Sequence, residues 1–94
     1  MGGYVYIMCS VNNSTLYIRV TSNLPVRVLQ HKQREFPGFT AKYNCTKLVY
    51  YNRFDSIKEA IAEEKRIKGG NRKKKEALIN SINPEWKDLY EEIV

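Results

Sequence analysis

Apolar and polar residues alternate along three short stretches of the chain, each rich in β-branched and aromatic side chains. This pattern predicts three β-strands, which are Tyr4–Cys9, Leu16–Val20 and Lys47–Phe54. Residues 10–14, with two adjacent asparagines, predict a turn that joins the first two strands as a hairpin, because asparagine tolerates positive φ. Strand alternation places Tyr6 on one face of the first strand, and Tyr17 with Arg19 on one face of the second.

Apolar residues spaced three and four apart predict three helices, the first over Asn23–Gln33, the second between a capping box and the Gly69-Gly70 pair, and the third over Arg72–Ser81. Ser22 or Thr21 is the predicted N-cap of the first helix, and Pro25 lies in its first turn, where its missing N–H costs little. The second helix begins with a capping box at residues 56–59 and ends at Gly69.

The C-terminal residues also show a helical spacing. Asn83 is the predicted cap of a terminal helical segment that begins with Pro84. The predicted anchors of this segment are apolar or aromatic, namely Trp86, Leu89, Tyr90 and Ile93. The order β-β-α-β-α-α with short strands predicts a single α+β domain over residues 1–94, in which helices flank a three-stranded antiparallel sheet.

Residues 33–46 predict a long loop, since a Pro-Gly pair precedes a mixture of aromatic and basic side chains. Aromatic rings beside Lys42 suit stacking on unpaired nucleic-acid bases. A simpler interpretation, in which Phe39 and Tyr43 close the core beneath the loop, fits these residues equally well.

The 94 residues carry a net charge of +6, which favours a polyanionic partner, either nucleic acid or an anionic membrane surface. One histidine excludes an imidazole-rich metal site, and Cys9 and Cys45 alone do not make a disulfide scaffold. Residues 1–10 lack a signal-peptide pattern, and no apolar segment approaches the ~20 residues of a membrane span. We therefore expect a cytoplasmic protein without a membrane partner.

Glu64 lies near the middle of the apolar face of the second predicted helix, between Ala60 and Ile67. A buried and unpaired carboxylate is costly, so Glu64 must reach water at a cleft, pair with a cation or bind a metal ion. The alternative is a helix rotated so that Glu64 lies at the boundary of the apolar face and pairs with Lys68, four residues on.

Arg27 lies at the edge of the apolar stripe of the first predicted helix, and His31 lies close to that stripe one turn later. Each alone has an ordinary explanation, because arginine stems cover apolar surface and lone histidines pack and form hydrogen bonds. Together, however, Arg27 and Glu64 place opposite charges on two core-facing helix surfaces. We expect one phosphate-handling site to be formed by Tyr6, Tyr17, Arg27 and Glu64.

A run of basic residues without an intervening acidic residue follows Glu64, and four of its members begin the third predicted helix. The helix macrodipole disfavours cations there, so an anionic partner would offset the placement. Phosphate oxygens suit backbone N–H groups and cations at a helix start, although a solvated surface is the ordinary alternative. The residues predicted to bind nucleic acid are Arg19, Lys32, Lys42, Lys68, Arg72, Lys73, Lys74 and Lys75.

With these residues placed, almost the whole chain resembles the GIY-YIG nuclease superfamily, and within it the small single-domain bacterial proteins. Tyr4-Val5-Tyr6 and Tyr17-Ile18-Arg19 correspond to the two signatures. They are followed in order by T-S-N-L-x-x-R-V-x-x-H-K, K-L-V-Y-Y, E-A-I-A-x-E-K-x-I-K and N-P-E-W-K-D-L. The resemblance implies an α/β sandwich that hydrolyses DNA phosphodiester bonds at one divalent metal ion, Mg²⁺ or Mn²⁺. It also implies branched or damaged DNA as the substrate and DNA repair as the process.

Carried over to this chain, the resemblance makes Glu64 the metal ligand and Arg27 the residue that stabilises the pentacoordinate phosphate. A metal ion held by one carboxylate polarises a phosphate oxygen and organises a water nucleophile. Arginine is planar and always charged, and therefore suits the developing negative charge.

The resemblance also implies that Tyr17 acts as general base or orients the attacking water, with Tyr6 beside it. Because the ordinary pKa of tyrosine is about 10, a tyrosine base would need nearby cations. His31 would assist proton transfer. Asn83, or less closely Asn80, would match the family's C-terminal active-site asparagine.

The chain departs from the family pattern at Arg19, which stands where the second signature has glycine. Arg19 either fills space that the substrate would use, pairs with Glu64 and competes with the metal ion, or adds a second phosphate clamp. The first two possibilities make catalysis weak or absent. The alternative function is then a non-catalytic nucleic-acid-binding module on the same fold, and a protein-interaction domain is a third interpretation.

Overall fold

The computed structural model describes residues 2–34 and 42–94. Its elements follow the predicted order, with β1 (Gly3–Cys9), β2 (Leu16–Thr21), α1 (Leu24–Lys32), β3 (Lys47–Phe54), α2 (Ile57–Lys68), α3 (Arg72–Ile82) and a 3₁₀ turn (Tyr90–Glu92). Central β1 is antiparallel to both neighbours, which gives the sheet order β2-β1-β3. The predicted α+β class, with helices flanking a three-stranded antiparallel sheet, is confirmed.

The sheet separates two apolar layers. On one face, Val5 and Ile7 pack against α2 and α3, which contribute Ala60, Ile67 and Ile79. On the other face, alternate strand residues pack against α1 and the C-terminal segment, in a cluster that contains Tyr6, Met8, Leu24, Val28 and Leu89. Alternation along β1 therefore assigns the tyrosine-bearing face of the sheet to α1.

The second helix packs closely on the start of β1 because Gly3 has no side chain. A Cβ atom at Gly3 would lie 2.6 Å from Ile57 Cδ1 and 3.1 Å from Ala60 Cβ, which is tighter than side chains normally pack. This approach presses the apolar face of α2 onto the sheet. Glu64, one turn beyond Ala60 on the buried side of α2, consequently lies beside the edge strand β2.

The first helix begins differently from the prediction. Asn23, rather than Ser22 or Thr21, is the N-cap, and its Oδ1 accepts a hydrogen bond from Val26 N at 3.4 Å. Thr21 Oγ1 instead accepts from Asn23 N at 3.0 Å, so the threonine fixes the entry of the chain into the helix. The serine of the capping box at residues 56–59 begins α2 as predicted. None of the described helices combines the length and apolar character needed to cross a bilayer.

The prediction of a helical segment beginning at Pro84 is wrong. Beyond Asn83 the chain forms only the 3₁₀ turn Tyr90–Glu92, and Trp86 has a positive φ of 54°. The predicted anchors differ in burial, since Leu89 is buried whereas Trp86 is partly exposed. The apolar spacing in this segment therefore reflects anchoring points of an irregular chain.

A β-bulge in β3 explains the shape of this C-terminal segment. The register of β3 against β1 skips one residue, Val49, which leaves backbone groups at the bulge in need of partners. Val49 O accepts from Asn83 Nδ2 at 3.1 Å, and Leu48 N donates to Asp88 Oδ1 at 3.2 Å. Leu89 N donates to Leu48 O at 2.8 Å. An irregular chain can pair with the bulge in this way, whereas a helix would use its N–H groups internally.

Half of the predicted loop lies outside the described residues, which omit 35–41, including Phe39. Lys42 and Tyr43 are described and both are exposed, with Lys42 Nζ 5.5 Å from the centroid of the Tyr43 ring. Tyr43 therefore does not close the core.

We expect Asn83→Ala to lower the free energy of unfolding by ~1–3 kcal/mol, because it removes the amide that donates to Val49 O and Lys87 O. Asn83 is only 2% exposed, so water cannot replace the amide. Urea unfolding followed by circular dichroism measures the change. Lys73→Ala, at an exposed position of α3, is the control, and an equal loss in both variants would contradict the bulge-pairing role.

Candidate active site

The candidate site is built on the tyrosine-bearing face of the β1–β2 hairpin. The strand register pairs Tyr6 with Arg19 and Met8 with Tyr17, and directly opposed residues of neighbouring strands point to the same face. Tyr6, Tyr17 and Arg19 therefore share one face, as alternation predicts. Because β2 is an edge strand, the Tyr17 side chain remains partly accessible and the Arg19 side chain is half-exposed.

The first helix supplies His31 to this face. His31 is 4% exposed and belongs to the buried stripe of α1 with Leu24 and Val28. Its Nε2 lies 2.9 Å from Tyr6 Oη. Its ring packs edge-on against the Tyr17 ring, with 5.7 Å between the centroids. A buried hydrogen bond between Tyr6 and His31 thus forms the floor of the site.

Both partners of this hydrogen bond are neutral at pH 7. Burial, followed by the positive charges of Arg27 and Arg19, lowers the pKa of His31 from 6.5 to about 4. Burial and the neighbouring Tyr17 raise the pKa of Tyr6 from 10.0 to about 12, although Arg19 and Arg27 oppose the increase. Neutral His31 can accept a proton but does not add a positive charge to the site.

Glu64 enters from α2 with its side chain only 11% exposed. Its Oε2 atom lies 4.0 Å from Arg19 Nε and 3.7 Å from Lys68 Nζ. Glu64 is therefore buried on the apolar face and paired with cations, and the helix is not rotated to place it at the boundary. The pair with Lys68 that the alternative interpretation proposed is nevertheless present. A carboxylate removed from most of its water is stabilised here by two cations.

Arg19 connects Glu64 to Tyr17. Its Nη1 donates to Tyr17 Oη at 3.2 Å, and its guanidinium carbon lies 5.8 Å from the centroid of the Tyr17 ring. The sequence raised three possibilities for the Arg19 side chain, and the structure shows the pairing with Glu64. The contact with Tyr17 was not anticipated, although residues two apart on one strand face are neighbours.

Arg27 lies on the exposed side of α1, one turn before His31. Its positive charge acts on both Tyr6 and His31, and the negative charge of Glu64 also acts on Tyr6. Charges contributed by α1 and α2 thus both act on Tyr6, although α2 packs on the opposite face of the sheet and Glu64 meets this group through Arg19 of the edge strand β2. We call this group the tyrosine cluster, and its members are Tyr6, Tyr17, Arg19, Arg27, His31 and Glu64.

Two of the predicted nucleic-acid-binding residues have extensive partners within the protein. Lys32 Nζ donates to the Asp88 carboxylate and to Thr46 O. Arg72 donates to Asn13 O and pairs with Glu76. These two side chains tie α1 and α3 to distant segments, a role that their sequence positions did not reveal because each joins residues far apart in the chain.

Most of the remaining residues predicted to bind nucleic acid are exposed. Lys73 and Lys74 are exposed at the start of α3, Lys75 is partly exposed, and the Lys68 side chain is 48% exposed. Asn83, by contrast, bonds to backbone atoms of Val49 and Lys87. The hydrogen bonds given for Asn83 therefore connect it to the bulge in β3 and not to the tyrosine cluster.

The donor set of the tyrosine cluster fits one kind of metal ion. In residues 2–34 and 42–94, no group of three or more histidine, cysteine or acidic side chains is arranged to hold a metal ion. A closed zinc site is thereby excluded from the described part of the chain. Mg²⁺ keeps several waters and often uses one or two carboxylates together with substrate phosphates. Glu64 fits such an ion as its single protein ligand.

Comparison with known proteins places the chain in a family context. A family model described as the GIY-YIG catalytic domain matches residues 2–77. A UPF0213 protein of Natronomonas pharaonis is 38% identical over 76 residues, which cover 81% of this chain and 88% of that protein. A UPF0213 protein of Clostridium perfringens is 32% identical over 90 residues, covering 96% of each chain.

A solved structure agrees with the fold. The solution NMR structure of a UPF0213 protein from Bacillus halodurans matches with a TM-score of 0.60 and 26% identity. The match covers 94% of this chain and 93% of that chain. It supports the three-stranded antiparallel sheet with three helices described above.

We expect the neutral state of His31 to make folding sensitive to acid. The unfolded chain binds a proton at His31 near pH 6.5, whereas the folded chain does so only near pH 4. The unfolded state therefore binds more protons between these values, and stability falls as pH falls through this window. The loss is at most ~3 kcal/mol, less any share that solvent screens.

Urea unfolding at pH 7, 6, 5 and 4 measures this dependence, with His31→Gln as the comparison. The variant keeps a polar partner for Tyr6 but cannot titrate, so its stability should fall less steeply. Titration of the acidic residues contributes equally to the pH dependence of stability in both proteins. Identical slopes for the two proteins would contradict the assignment.

Proposed function

The chain belongs to the GIY-YIG catalytic domain family, and from this premise we propose that it is a metal-dependent endonuclease that hydrolyses phosphodiester bonds in DNA. The observation that carries the proposal is the tyrosine cluster, in which Arg19 links the buried Glu64 carboxylate to Tyr17 and the charges of Arg27 and Glu64, from two different helices, both act on Tyr6. A phosphodiester needs cationic stabilisation on one side and a positioned water on the other. The cluster offers groups suited to both tasks.

Each member of the cluster has a chemical role in this proposal. Glu64 holds Mg²⁺ or Mn²⁺, which when bound polarises the scissile phosphate and lowers the pKa of its water. Arg27 stabilises the charge that develops on the pentacoordinate phosphorus. Tyr17 orients the attacking water or takes its proton.

The floor of the cluster supports these roles. Tyr6, whose pKa of about 12 keeps its hydroxyl protonated, positions His31. The lowered pKa of His31 leaves its imidazole neutral, so it can receive a proton that passes through the Tyr6 hydroxyl.

Arg19 slows turnover in this proposal. Its Nε lies 4.0 Å from the carboxylate that would hold the metal ion, so metal and arginine compete for the same oxygen atoms. This competition is also the observation that favours the second candidate function, a nucleic-acid-binding module without catalysis. The accessible residues Lys68, Lys73 and Lys74 supply phosphate contacts under either function.

We expect Glu64→Ala to reduce Mg²⁺-dependent nicking of supercoiled plasmid by ~100-fold or more, because it removes the only carboxylate of the cluster. Glu63→Ala is the matched control, since Glu63 pairs with Arg66 and not with the cluster. Nicking that persists in Glu64→Ala would contradict the catalytic proposal. Plasmid binding without any nicking by the natural chain would favour the binding module.

We expect substitution of Arg19 to raise the nicking rate when Mg²⁺ is limiting. The expected gain is roughly two- to fivefold, which corresponds to the loss of one half-exposed ion pair. Arg19→Gly removes both charge and bulk, whereas Arg19→Met keeps the stem and removes the charge. If competition for Glu64 slows the enzyme, both variants nick faster. A gain in Arg19→Gly alone would instead identify the bulk of the side chain as the obstruction.

A further inference from the structure

Two cations share one oxygen atom of Glu64, and neither contact is tight. Arg19 Nε and Lys68 Nζ lie 4.0 Å and 3.7 Å from Glu64 Oε2, beyond the 2.7–3.2 Å of an ordinary hydrogen bond. The two cationic side chains are 50% and 48% exposed, whereas the Glu64 side chain is 11% exposed. The carboxylate is therefore fixed, and its two counter-ions are long side chains at the surface.

We propose that Arg19 and Lys68 are exchangeable counter-ions of Glu64, which pass to a substrate phosphate when a divalent metal ion takes the carboxylate. Metal ion and phosphodiester then bind cooperatively, each favouring the other. The inference rests on the proposed function, because it assumes that Glu64 is the metal ligand. It adds a role for Lys68 and a reason for the position of Arg19.

The argument begins with the charges around the carboxylate. Glu64 carries one negative charge, and Arg19 and Lys68 carry one positive charge each. A divalent ion arriving alone would meet two displaced cations and a strong local positive charge, with Arg27 also nearby. A phosphodiester removes part of this repulsion, because its unesterified oxygens give the displaced cations a new partner.

Both cations remain within reach of the site after they leave Glu64. Arg19 is held by its hydrogen bond to Tyr17 Oη and by its position over the Tyr17 ring. Lys68 is attached to the last turn of α2, one turn beyond Glu64. Their displacement therefore requires rotation of side chains only, and no part of the backbone has to move.

The reciprocal effect follows from linkage, since two ligands that share a coupling free energy influence each other equally. Two half-exposed ion pairs are each weak, so their combined loss changes an affinity by about two- to thirtyfold. The site would load metal ion poorly without substrate and better with it. This arrangement also suits a nuclease that is inactive until nucleic acid is bound.

The test is a calorimetric titration of the full chain with Mn²⁺, with and without thymidylyl-thymidine, which contains one phosphodiester. The dinucleotide should tighten Mn²⁺ binding about two- to thirtyfold. Its uncharged methylphosphonate analogue should have no such effect. Glu64→Ala should abolish Mn²⁺ binding at this site.

Variants separate this inference from the proposed function. Arg19→Met and Lys68→Met should each bind Mn²⁺ alone more tightly than the natural chain and respond less to the dinucleotide. Lys65→Met, an exposed position of α2, is the matched control and should behave as the natural chain does. Thermal unfolding checks that each variant is folded.

Two results would overturn the exchange. If Mn²⁺ binds through Glu64 but with the same affinity in the presence of dinucleotide and in both methionine variants, the exchange is wrong while the metal site stands. If Mn²⁺ binds to none of the proteins under any of these conditions, both the exchange and the metal-dependent function are wrong.

Discussion

The constraint on which this structure depends is a carboxylate that folding has removed from most of its water. Glu64 occupies the apolar face of α2 between residues that pack on the sheet, and the close approach of α2 at Gly3 leaves no room to turn that face outward. A charge in this position must find compensation. The surrounding cations, Arg19 from the edge strand and Lys68 from the same helix, supply it.

The tyrosine cluster combines a neutral floor with charged walls. Tyr6 and His31 are buried, hydrogen-bonded and uncharged at neutral pH, so they add rigidity without adding charge. Arg19, Arg27 and Glu64 provide the charges above them. The two arginines are exposed at the rim of the cluster, whereas the Glu64 carboxylate is largely buried and depends on its paired cations.

Basic residues in this chain serve two purposes, which net charge alone cannot distinguish. Lys32 and Arg72 connect segments that are far apart in sequence, to Asp88 and to the β1–β2 turn respectively. Lys73 and Lys74 project from the start of α3. The count of 16 lysine and arginine residues therefore overstates the number of cations available to a polyanion.

Local periodicity determined the strands and helices before Pro84, together with their faces. Period-two alternation identified the strands and placed Tyr17 and Arg19 on the same face of the second strand. Helical spacing placed Glu64 and His31 on apolar helix faces. Both patterns follow from backbone geometry within a few residues. The ordered signatures also indicated the family, which the comparisons confirm. The roles of the individual site residues remain predictions.

Tertiary structure alone decided which distant groups meet. The bulge at Val49 exposes backbone groups that draw the C-terminal segment away from a helix, and the resulting partners, Asn83 and Asp88, lie more than 30 residues from the bulge. The sequence raised the pairing of Arg19 with Glu64 as one of three possibilities, and the packing of α2 against the edge strand selected it. Such contacts arise from long-range packing, and no local pattern in the sequence encodes them.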